Sequence, residues 1–182
     1  MIKSGIIIIL LGFLVLILSS CEEGKVVPPK AKDTIDIHDL PDQIGWDNKV
    51  FFIDSSFTKA ILNAKRARIY NKRNETLLDG GLYVEFLSRI NNKRTSYLTA
   101  DSAKIDDITK NMLAGGHVVV VSDSTRTRVE TSLLYWNNKT QMFYSSEFVR
   151  VTKPNETVQG YGFESDQSLS NYKIFKVSGE QK

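Results

Sequence analysis

The residue with the most pointed chemistry is Cys21, the only cysteine among 182 residues. It closes the tetrapeptide Leu18-Ser19-Ser20-Cys21. Ahead of it lies Ile6 to Leu18, an unbroken run of apolar residues and Gly, and Lys3 adds a positive charge upstream. A short apolar segment, small residues and then a thiol is the pattern of a secretory signal cleaved at an acylated cysteine. The run falls short of the ~20 residues that span a hydrocarbon core. Residues 1–20 are therefore expected to be removed, leaving the mature protein held on a membrane through acylated Cys21. More than one acyl chain makes such anchoring stable. With its thiol committed, the chain has no disulfide and no cysteine-based metal site.

Other reactive side chains form no constellation. His38 and His117 are the only histidines and lie far apart, which argues against a histidine-rich zinc site. Asp106-Asp107 resembles a carboxylate pair, but adjacent strand residues point to opposite faces, so the two would not share a proton. No G-x-S-x-G motif marks a nucleophile, and nothing in the chain could hold a nucleotide phosphate. No metal, cofactor or catalytic residue is expected, and the protein reads as a non-enzyme. The cluster Lys65, Arg66, Arg68, Lys72, Arg73 could meet phosphates, since guanidinium pairs with them bidentately; such runs are more often a solvated face. The net charge of +3 is too mild to suggest nucleic acid.

The elements behind these residues fall into three parts. Residues 21–45 read as the lipidated N-terminus and an extended tether, stiffened by Pro28-Pro29 and marked by Pro41 and Gly45. Residues 46–179 form the domain, and 180–182 a polar tail; the last clear strand is Ile174 to Val177, with residues 178–182 frayed. Turn signals punctuate the domain at Asp79-Gly80-Gly81, Asn91-Asn92, Gly115-Gly116, Asn137-Asn138 and Pro154-Asn155. Runs between them are rich in β-branched and aromatic residues, as in His117 to Val121 and Met142 to Val151. Propensity alone would make helices of Phe57 to Ala67 and Ala100 to Ala114.

An internal repeat decides against helices. The pattern is apolar, any, small, any, any, apolar or small, any, apolar. It occurs at Leu62-x-Ala64-x-x-Ala67-x-Ile69, Leu98-x-Ala100-x-x-Ala103-x-Ile105, Val129-x-Thr131-x-x-Leu134-x-Trp136 and Tyr144-x-Ser146-x-x-Val149-x-Val151. A partial copy is Val158-x-Gly160-x-x-Phe163. Inward residues on a strand recur every second position, so the x-x step breaks the phase by one; a β-bulge restores it. Repeated bulges curl a sheet. The wider gaps after the first two copies leave room for one unmatched strand each. The expectation is an all-β chain, rolled from one recurring strand unit.

The ordered series Val50 to Ile69, Leu98 to Ile105, Gly116 to Val151 and Val158 to Asp166 resembles the LptC family and, more broadly, the LptA/OstA-like superfamily. No single motif is diagnostic. The resemblance covers roughly Trp46 to Gly179. It implies a twisted, partly open β-jellyroll of many short antiparallel strands. It also implies a role in lipopolysaccharide export at the periplasmic face of the inner membrane, with the outer membrane as the less favoured site. One departure concerns the anchor: well-studied members carry a transmembrane helix where this chain places Cys21.

By that resemblance, lipopolysaccharide acyl chains enter an apolar groove. The domain takes the lipid from the periplasmic domains of LptF and LptG, in the LptB/LptF/LptG exporter, and passes it to LptA. The first strands (about Val50 to Ile53) would face the exporter and the last (about Tyr172 to Val177) LptA. Groove candidates are the repeat's inward positions Leu98, Ala100, Ile105, Val129, Thr131, Leu134, Trp136, Tyr144, Val149, Val151 and Phe163, each of which could instead fill a dry core. Gly160 and Gly162 are assigned to backbone geometry or a close sheet approach. The competing reading is an OstA-like scaffold lipoprotein that carries no lipid.

Overall fold

The computed structural model describes residues 40–181, and the side chains of residues 40–179. Cys21, the apolar leader and most of the tether lie outside the described residues. The chain runs through ten strands: β1 (Gln43–Asp54), β2 (Phe57–Tyr70), β3 (Glu75–Leu87), β4 (Arg94–Ala100), β5 (Ser102–Asp106), β6 (Met112–Ser122), β7 (Arg128–Asn137), β8 (Met142–Lys153), β9 (Glu156–Asp166) and β10 (Tyr172–Gln181). A single 3-10 turn, Asn71–Arg73, joins β2 to β3.

The strands form one antiparallel sheet in nearly sequential order, with β4 and β5 sharing one place between β3 and β6. Both stretches with helical propensity are strand: Phe57 to Ala67 lies in β2, and residues 100–114 run from the end of β4 through β5 into β6. Ala-rich sequence loses to pairing because Ala60, Ala64, Ala67, Ala100, Ala103 and Ala114 are all buried at two-residue spacing on either side of a bulge.

The x-x steps of the repeat coincide with breaks in register. Pairing slips between Ala64 and Arg66 in β2, between Thr131 and Tyr135 in β7, and between Ser145 and Phe148 in β8. Asp101 separates β4 from β5 at the equivalent point. The bulges line up across the sheet and fold it along one line into two facing layers. Phe86, beyond the line in β3, packs against Trp136, just after it in β7, and Phe143, just before it in β8, with ring centroids 4.8 and 5.3 Å away.

The two unmatched strands are β3 and β6, and each folds with a Gly-Gly pair. Gly80 and Gly81 adopt φ of 80° and 95°, and Gly116 adopts 72°. The sequence reading placed hairpins at Asp79-Gly80-Gly81 and Gly115-Gly116; both lie inside single strands. Positive φ serves a bulge as well as a turn. What separates the two is that the flanking residues keep the same neighbour: Leu78 and Leu82 both pair to β2. Asn91-Asn92, Asn137-Asn138 and Pro154-Asn155 do connect strands.

The sheet ends also extend further than expected. Pairing begins at Gln43, opposite Ile69, and continues to Gln181, opposite Thr157, so residues 178–181 are a paired strand rather than a frayed tail. β1 and β10 are the two edges and do not pair with each other, which leaves the roll open.

Candidate functional site

Where the two layers meet along their middle, they are packed solid. Leu98, Val129, Leu134, Val149, Val151 and Phe163 are almost wholly buried, as are Ala100, Ile105 and Trp136 to a slightly lesser degree. Their partners include Leu62, Val84, Phe86 and Phe143. Tyr144 is a correction: it was assigned inward but is half-buried and pairs with Tyr135, while its neighbour Phe143 enters the core beside Trp136. The bulge in β8 begins one residue earlier than the repeat implied, after Ser145.

Thr131 sits at the fold line and has a structural task. Its hydroxyl donates to the carbonyl of Phe148 at 2.9 Å, and Ser145 donates to that of Leu133 at 2.7 Å. A bulge strips such carbonyls of ladder partners, and side-chain hydroxyls replace them. A Cβ on Gly160 would collide with the carbonyl oxygen of Lys176, and Gly162 holds φ of 77° against Phe175.

One part of the cleft is not filled. A cavity of about 450 Å³ lies at the β1 edge, between the second half of β1 and the strand segments across the fold line in β2, β3 and β5. Its apolar walls are Val50, Phe51, Phe52, Ile53, Ala67, Ile69, Leu78 and Ile105. Lys59, Asp107, Lys110 and Asn138 give it polar lining. Lys59 reaches Asp54 at 3.2 Å, and Asp107 accepts from Thr76 at 2.9 Å while Lys110 stands 3.8 Å away. Both lysines are paired to carboxylates, so the chamber is apolar with a charge-balanced polar rim, the kind of lining that takes an apolar chain.

Of the eleven groove candidates, Ile105 alone lines this cavity. The residues missed are on β1, β2 and β3. A signal was present: Ala67 and Ile69 end the first copy of the repeat, and their small or branched side chains at an edge leave space that aromatic rings occupy elsewhere.

The far end of β3 is closed differently. The loop between β9 and β10 tucks Leu169 into the core, and Gln167 donates to Leu87 O at 3.3 Å and Thr95 Oγ1 at 3.1 Å. Ser96 reaches back to Gln167 O at 2.6 Å.

Asp79, Asp106 and Asp107 have structural tasks. Arg66 and Arg68 share Asp79 at 2.5 and 2.9 Å, and the Arg66 hydrogen bond holds the Asp79 carboxyl below its ordinary value. Asp106 accepts from Thr109 N at 2.7 Å, which lowers its pKa, while Asp107 faces Thr76; the adjacent carboxylates do separate jobs. No three metal-ligating side chains converge among the described residues, and no described helix is long and apolar enough to cross a membrane.

A family model described as lipopolysaccharide-assembly, LptC-related, matches residues 5–178. No curated protein matches the chain.

Proposed function

Since the chain belongs to the LptC-related lipopolysaccharide-assembly family, we propose that its β1-edge cavity receives the acyl chains of lipopolysaccharide during transport. The family takes part in lipopolysaccharide transport on the periplasmic side of the inner membrane, a binding role rather than a catalytic one. The observation that carries the finer reading is the unfilled, mostly apolar cavity beside an unpaired edge. Burying hydrocarbon there gains about 0.8 kcal/mol per CH₂, which makes affinity depend on chain length while the sugars remain in water. At about 450 Å³ the space suits part of a lipid, in the range of small-molecule pockets. Fuller occupancy requires the β1 edge to part from the facing layer.

The two edges supply docking strands. Unpaired edges invite a partner's strand, and here β1 would join the periplasmic domains of LptF and LptG while β10 would join LptA. Acylation of Cys21 would hold the chain at the inner membrane through the tether.

The test is a photo-crosslinking residue at Leu78, on the cavity wall, compared with one at Tyr144, on the outside. In transporting cells the Leu78 probe is expected to trap lipopolysaccharide and the Tyr144 probe not. A scaffold that carries no lipid would give no adduct at either position.

A further inference from the structure

The net charge of the folded domain is concentrated in one place. Residues 40–73 carry seven Lys and Arg against three Asp, whereas residues 74–182 carry thirteen of each sign. The first two strands and the turn after them therefore hold the whole net excess, +4.

The same segment exposes apolar side chains. Asp47 takes φ of 50° and has no partner in β2, so β1 bends there together with β2 while the register between them is kept. As a result Ile44 and Trp46 before the bend share the outer face with Lys49 and Phe51 after it. Trp46 is 65 % exposed, and Ile44 and Phe51 are exposed as well. Arg66 lies 5.6 Å from the Trp46 ring, and Lys49 lies 5.4 Å from that of Phe51. Asp79 neutralises one of the two guanidiniums it bridges. Lys49 and Lys65 form no ion pair among the described residues.

We infer that the outer face of β1 and β2 lies against an anionic phospholipid surface, with Trp46, Ile44 and Phe51 at headgroup level and Lys49, Lys65 and Arg66 meeting the phosphates. Amphipathic Trp rings prefer that interface, and cations beside an apolar strip add attraction to acidic lipids. The occupant is set by charge complementarity together with the family's place beside the inner membrane. This face is separate from the docking edge: strand pairing runs in the plane of the sheet, and these side chains stand perpendicular to it. Phe51 borders both this face and the cavity, whereas Ile44, Trp46, Lys49, Lys65 and Arg66 line only the outer face.

Trp46 serves as the probe. The protein, purified from membranes with its native processing, is reconstituted into vesicles of phosphatidylcholine with brominated chains, with or without phosphatidylglycerol. Subtracting the signal of Trp46→Phe isolates Trp46 from Trp136, which is 6 % exposed. Bromine is expected to quench Trp46 in the acidic vesicles. Quenching should fall toward the neutral-vesicle value in high salt and in Lys49→Glu/Lys65→Glu, a loss of partitioning of at least about tenfold. Equal quenching in both vesicles, or none in either, overturns the inference. So does quenching in neutral vesicles that depends on added lipopolysaccharide, since the basic face would then serve lipid A phosphates. The Leu78 crosslink is unaffected by any of these outcomes.

Discussion

The two ends of the cleft are built from the same bulged strand and differ in what fills it. Toward β8 the layers are held apart by aromatic rings: Phe86, Trp136 and Phe143 stack within 4.8 to 5.3 Å of one another. Toward β1 no ring enters from β2 and β3: Ala67, Ile69 and Leu78 face inward there, and the space they leave is the cavity. The backbone curl is common to both ends. Side-chain volume alone decides which is core and which is chamber, so one architecture can keep a rigid half and a receptive half.

That contrast can be broken from either side. Phe143→Ala removes a fully buried ring from the packed end and should cost about 3–5 kcal/mol, read as a fall in denaturation midpoint. If the aromatic cluster were incidental, the loss would be no larger than for a surface residue. Ala67→Phe does the reverse at the open end. The ring points into existing space, so stability should change by less than about 1.5 kcal/mol, while trapping of lipopolysaccharide at Leu78 drops by about an order of magnitude. A variant that keeps its melting point and its crosslink would show that lipid does not enter beside β1.

The curl was legible in the sequence because phase breaks leave a trace: small residue, two free positions, then a return to the inner face, as in Ala64-x-x-Ala67 and Ala100-x-x-Ala103. The two strands without that trace, β3 and β6, were visible only as wide gaps, since Gly80-Gly81 and Gly115-Gly116 fold by positive φ and look like hairpins. Whether a Gly pair turns the chain back or merely bends it is set by pairing across the sheet, which local sequence does not encode. The chamber was harder to find. Inwardness shows in periodicity, but the difference between a filled and an unfilled position depends on the residue facing it from the other layer. Leu134 and Val149 look like Val50 and Leu78 in sequence; the first two meet packed core on every side, whereas Leu78 is buried but borders the cavity and Val50 is exposed at its rim. Tyr144 shows the limit of the repeat itself, because the bulge slid by one residue and exchanged it with Phe143.

The smallest expected effect tests whether the open end is held from outside. Arg66 and Arg68 on β2 clasp Asp79 on β3 just beside the fold line, on the face away from the cavity. The Arg66 hydrogen bond depresses the Asp79 pKa below its ordinary value. A depressed carboxylate stabilises the fold above its unfolded pKa, and that contribution fades as pH falls through the lower folded value. Asp79→Asn should therefore cost roughly 1 kcal/mol or less at pH 7, as half-exposed pairs do. The gap to wild type should stay constant down to about the ordinary Asp value and close below it. An unchanged gap in strong acid would mean that the carboxylate charge does nothing there. The same substitution frees a second guanidinium beside Trp46. Quenching of Trp46 in the acidic brominated vesicles should rise even as stability falls, which separates the clasp's two roles in a single variant.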